Sequence, residues 1–221
     1  MKLKKIASLM LAGIMAVSML AGCKSGTPDP DDNGGASSNT TSSFTESVLS
    51  KTNAKTSALL KAGDNAKIDA AVEYAAINDT SDTDWRAQVT GIKWAENGWK
   101  SVALAETKMN GAEEGFRTAS ALKGVSVGAN AGMWTDKQHD LPYTYWTVGC
   151  VSSTLSDDAI AGMVASLLDD LDYAVDGDGY TYDYEVRVAK SVCKNDDLAS
   201  ANDDYVIVGV ALTCNREAVK Y

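Results

Sequence analysis

Few residues in this sequence of 221 are equipped for chemistry. His139 is the only histidine, so a Ser-His-Asp or Cys-His arrangement would have to run through it. It stands in a polar run, TDKQHDLP, where a solvated side chain is the ordinary expectation. A zinc centre needs three or four His, Cys or carboxylate ligands; one histidine and widely spaced cysteines do not supply them. Glu113-Glu114 and the many aspartates offer carboxylate pairs of the kind glycoside hydrolysis uses, although an acidic composition generates such pairs by itself. No Gly-rich phosphate loop follows a strand, and no GxSxG elbow occurs.

Two further groups of residues are candidates for binding. In Ala174-Val175-Asp176-Gly177-Asp178-Gly179-Tyr180, with Glu185 beyond, the spacing places Asp176, Asp178, Gly179 and Glu185 at positions 3, 5, 6 and 12 of an EF-hand loop, which makes the three acids candidate calcium ligands. The first ligand of that pattern is missing, and Asp-Gly-Asp-Gly also suits a tight turn. The preceding Asp169, Asp170 and Asp172 fall in the last turn of a predicted helix, where negative charge opposes the macrodipole. The second group is aromatic. Trp134, Tyr143, Tyr145 and Trp146 crowd one segment, and Tyr180, Tyr182 and Tyr184 share one side of another. Displayed, they would stack on sugars or meet a protein; with only two Phe in the chain, Trp and Tyr must also serve as core.

These residues need elements to position them. Ser156 to Tyr173 reads as a helix: Ile160, Met163, Val164, Leu167, Leu168 and Leu171 line one face, and Ser156 is placed to cap it. Val125–Trp134 and Tyr143–Ser153 read as one hairpin. Tyr182, Tyr184, Val186 and Val188 alternate with Asp183, Glu185, Arg187 and Ala189, and Val206, Val208, Val210 and Leu212 alternate likewise, giving a second hairpin. Phe44–Lys61 reads as helical, with Phe44, Val48, Leu49, Leu59 and Leu60 as its buried positions; Asp64 is expected to cap a helix carrying Ile68, Val72 and Ala76. Over residues 85–109 a helix ending near Asn97-Gly98 competes with a hairpin turned at the same dipeptide, and the helix is preferred. Another short helix is expected over Ala112–Leu122. The sum is an α+β domain in which N-terminal helices precede a hairpin-helix-hairpin forming a largely antiparallel sheet.

Within that second hairpin Cys193 lies beside the loop, on the opposite face from Cys214 at the far end. About 30 Å of strand separates them, far beyond a disulfide's Cα limit of about 7 Å. Any bridge must therefore involve Cys150, with buried free thiols as the alternative.

The first residues carry an address. Lys2, Lys4 and Lys5 precede an apolar stretch, Ile6–Met19, too short for a comfortable membrane span, and Leu20-Ala21-Gly22-Cys23 follows at once. This resembles the export signal and lipobox of bacterial lipoproteins. The resemblance covers residues 1–23 only and implies that Cys23 is lipidated and becomes the mature N-terminus. Two acyl chains suffice for stable anchoring. Residues 24–43, KSGTPDPDDNGGASSNTTSS, read as a flexible linker reaching about 25 Å, and residues 44–221 as a single domain.

Removal of residues 1–22 takes three lysines and no acid, leaving 17 basic and 30 acidic residues and a net charge of −13. Such a surface repels nucleic acid, which is bound through phosphate neutralisation. The sequence thus favours a surface-displayed, lipid-anchored extracytoplasmic binding or interaction domain; it does not name the ligand, for which a protein or a glycan is a candidate. The alternative is a small extracytoplasmic hydrolase using carboxylates or His139. No cofactor other than calcium is suggested.

Overall fold

The computed structural model describes residues 38–79, 90–94, 99–109, 112, 126–127, 142–177, 179–193 and 204–219. The export signal with Cys23, most of the linker, Glu113-Glu114, the helix expected over Ala112–Leu122, Trp134, His139 and Asp178 lie outside them. Among the described residues there are five helices: α1 (Ser38–Leu49), α2 (Ala54–Leu59), α3 (Ala66–Asn78), α4 (Lys100–Glu106) and α5 (Asp157–Asp169). The strands are β1 (Leu60–Ala62), β2 (Lys93–Trp94), β3 (Ser126–Val127), β4 (Tyr143–Ser152), β5 (Asp172–Tyr173), β6 (Tyr180–Cys193) and β7 (Tyr205–Ala218). The fold is α+β.

Five strands form one sheet in the order β1-β6-β7-β4-β2, parallel only between β1 and β6. The β6–β7 hairpin is its spine, with Tyr180 opposite Ala218 and Cys193 opposite Tyr205. Because side chains alternate along a strand, each strand contributes to two cores. On one face Tyr184, Val186 and Val188 of β6 and Val206, Val208, Val210 and Leu212 of β7 meet Phe44 and Val48 of α1 and Ile160, Val164, Leu167 and Leu168 of α5. On the other face Ala189, Ile207 and Ala211, with Trp146, Val148 and Cys150 of β4, meet Ile68, Val72 and Ala75 of α3 and Val102 and Ala105 of α4.

Two glycines set how closely things approach. A Cβ at Gly209 would collide with Val72 Cγ2 and come within 2.9 Å of Ile68 Cδ1, so α3 rests directly on the β7 backbone. A Cβ at Gly149 would lie 2.9 Å from Trp94 Cε3, so that indole uses the bare backbone of β4.

The helix over 156–173 forms as the spacing predicts, and Ser156 Oγ accepts from the Ala159 N–H at 3.2 Å. Its C-terminal aspartates are not all a liability, for Asp169 accepts the Asn53 N–H at 3.1 Å, just where α2 begins. Other expectations are corrected. Phe44–Lys61 is not one helical segment: it breaks after Leu49 and again at Leu60, which enters β1. α1 starts at Ser38, inside the stretch read as linker. Asn65, not Asp64, caps α3, accepting from the Lys67 N–H. Lys93–Trp94 is a strand antiparallel to Cys150 and Gly149, so the preferred helix over 85–97 is not continuous. Finally, Ser126–Val127 pairs with Asp172–Tyr173 and not with β4, because β-branched content favours a strand without choosing its partner.

Candidate functional site

Of the two readings of Tyr143, Tyr145 and Trp146, display or core, the structure has core. Neighbours along a strand face opposite ways, so Tyr145 and Trp146 are buried in different cores, at 2% and 1% exposure. Tyr143 is half-buried and packs edge-on against Tyr145 at 4.9 Å. The second aromatic run is also structural. The Tyr184 hydroxyl lies 2.9 Å from the carbonyls of both Val127 and Ala174, tying the small β3–β5 sheet to the main one. Tyr173 meets its ring edge-on at 5.2 Å, and the Arg216 guanidinium sits 4.4 Å over the Tyr180 ring.

Asp176 and Glu185 are engaged with different parts of the fold. Asp176 accepts the Tyr182 N–H at 2.9 Å and so ends the free edge of β6. Glu185 belongs to the α3 face and lies against Gly63, whose Cβ position is 3.0 Å from Glu185 Cβ. Among the described residues no three His, Cys, Asp or Glu side chains are grouped to hold a metal; Asp178, the middle candidate ligand, lies outside them. Among the described residues Cys150, Cys193 and Cys214 are buried and form no disulfide. Cys193 and Cys214 take opposite faces and opposite ends of the hairpin, as their spacing requires. Burial pushes the Cys214 thiol up to about 11, so at neutral pH it is a small apolar group rather than a nucleophile.

What the sequence did not single out is a polar pocket of about 250 Å³ at the N-terminal end of α3. Its origin is geometric. Along the α3 face the rows of the β6–β7 hairpin change character: Ala189 is opposite Gly209, Arg187 opposite Ala211, Glu185 opposite Thr213 and Asp183 opposite Asn215. α3 covers the apolar rows and stops at Ala66. The polar rows beyond form a floor of Glu185, Arg187, Thr213 and Asn215, rimmed by Asp64 and Asn65.

Arg187 anchors the inner wall. Its side chain is 8% exposed, and Nε and Nη2 bind Asp69 of α3 in a forked pair at 2.8–3.2 Å. Among the described residues that pair leaves Nη1 uncommitted, and the carboxylates of Asp64 and Glu185 and the Asn215 amide likewise have no hydrogen-bonding partner. Thr213 shares a 3.0 Å hydrogen bond with Thr144 across the β4–β7 ladder. Outside the rim Lys61 binds Asp183 at 2.6 Å, and its pKa is raised by that bond and charge, with a further contribution from Glu185.

The signal for this pocket lay in the register. Asp183 and Glu185 on one strand and Thr213 and Asn215 on the next fall on the same side at the open end of one hairpin. No protein-family model matches the chain, and comparison with curated proteins and with solved structures gives no match.

Proposed function

We propose that this protein is a lipid-anchored extracytoplasmic binding domain and that the pocket at the start of α3 is where its ligand sits. The anchor rests on Cys23 and the residues before it, which resemble a lipoprotein export signal. The binding site rests on one observation: Asp64, Glu185, Arg187 and Asn215 line one cavity and make no hydrogen bond to one another. A few polar groups gathered at a cavity are what orients and selects a ligand there.

Screening the full-length chain by thermal shift against a library of polar small molecules tests the site. Stabilising compounds are expected to lose their effect in Thr213→Phe, whose ring fills the pocket while suiting a strand. Hits that stabilise Thr213→Phe equally well place binding elsewhere.

A second reading, hydrolysis, is favoured by the two carboxylates in one pocket. It requires turnover of chromogenic glycosides or esters that is lost in both Asp64→Asn and Glu185→Gln; binding without turnover leaves the first reading standing.

A further inference from the structure

Accepting the pocket as the ligand site, we infer that it takes a neutral, polyhydroxylated molecule the size of a single sugar ring. The argument is one of complementarity. Asp64 and Glu185 can only accept hydrogen bonds, whereas Arg187 Nη1 can only donate. Asn215 and Thr213 do both.

An anion would satisfy Arg187, but its positive charge is already answered by Asp69, and the two free carboxylates would repel the newcomer. A simple ammonium would satisfy the carboxylates but, carrying only donors, would leave the Arg187 donor without an acceptor. Hydroxyl groups resolve the conflict, because each donates and accepts. A ring bearing several of them presents donors toward Glu185 and Asp64 and an acceptor toward Arg187, at no cost in charge. The fixed fork of Arg187 and Asp69 holds that donor in place before the ligand arrives, which lessens the ordering needed on binding.

Size narrows the class. A space of about 250 Å³ lies below the usual span of about 300–1,000 Å³ for drug-sized ligands, which suits one ring and not a chain buried along its length. Among the described residues the lining carries no aromatic ring, so recognition by them would rest on polar groups.

The experiment follows backbone amide resonances of Gly63, Thr213 and Asn215 in the full-length chain carrying Cys23→Ala. The probes are glucose, galactose, mannose and N-acetylglucosamine, with ethylammonium and acetate as charged comparators, all at millimolar concentration. At least one sugar is expected to give saturable shifts at these amides. Glu185→Gln should weaken it by roughly ten- to a hundredfold, as loss of a charge-assisted bond does, and Thr213→Val should weaken it less while preserving the strand. Saturation by ethylammonium or acetate with none by any sugar overturns the ligand class and leaves the pocket as a binding site. If no probe moves these amides, both this inference and the pocket reading fall. Sugar binding indifferent to Glu185→Gln and to Thr213→Val also overturns the inference, since the sugar then lies elsewhere.

Discussion

The two faces of the main sheet are covered by the same means, a pair of helices, yet they are built from different side chains. The α1/α5 face is filled by branched and large residues, with Ile160, Val164, Leu168, Val208, Val210 and Leu212 all at or below 1% exposure. The α3/α4 face sets a few large side chains, Trp146, Ile68 and Ile207, among Ala71, Ala75, Ala105, Ala189, Ala211 and the bare backbone of Gly209. Large side chains hold a helix off a sheet, and their interdigitation fills the gap. Small ones let it lie close, so stability depends on nothing being added. A close helix also ends abruptly: just past Ala66 the polar rows of the sheet open into the pocket. One face is thus core along the described strands, and the other is part core and part recognition surface.

Leu168→Ala attacks the first face and carries the largest expected effect. The residue is fully buried, and its truncation should lower stability by about 2–5 kcal/mol in denaturant unfolding. A loss below about 0.5 kcal/mol, the range of surface changes, would show that this face is not packed as described.

Gly209→Ala attacks the second face by addition, since the new methyl meets Val72 and Ile68. A loss of about 1–3 kcal/mol is expected, as for overpacked cores. A neutral result would mean that α3 rides higher above the sheet and that the contrast between the faces fails.

Thr45→Val probes the seam where α1 reaches β6. The buried Thr45 hydroxyl accepts from the Val188 N–H at 3.0 Å and donates to the Val188 carbonyl at 3.2 Å. An isosteric valine strands both backbone groups, so a loss of about 1–2 kcal/mol is expected. Retained stability together with unchanged exchange protection at Val188 would show that another group caps that edge.

Gly162→Ala is the mildest test and has the opposite sign. This glycine lies on the outer side of α5, where a Cβ would meet only Lys51 Cδ at 4.0 Å. Alanine should stabilise by about 0.5–1 kcal/mol through helix propensity. Destabilisation there would erase the distinction between a glycine that is needed and one that is tolerated.

The same contrast explains what could be read from the sequence. The α5 stripe and the β6–β7 alternation were legible because a helix or hairpin packed along its length repeats its signal over ten or more residues. β1 and β2, with three and two residues, are too short to carry a period, and each pairs with a strand far along the chain. Leu60 therefore read as a continuation of helix. The pocket was hidden for another reason. Glu185, Thr213 and Asn215 sit where a solvent-facing side would put polar residues, and only the β6–β7 register together with the end of α3 turns them into a floor. Tyr145 and Trp146 were visible as a group, but adjacency in sequence is separation across a sheet.

The parallel pairing of β1 with β6 has a consequence for how the chain becomes a structure. Leu60 waits for Tyr184, and Thr45 waits for Val188, 143 residues later. α3 has a local partner in α4, but α1, β1 and α3 all dock on the last hairpin as well, so their packing is complete only when residues 180–218 are present. Such long-range order slows folding. Were the chain exported, as we propose, such an order would have a use: the segment made first would stay extendable, and so able to pass lengthwise through a narrow channel, until its final strands followed.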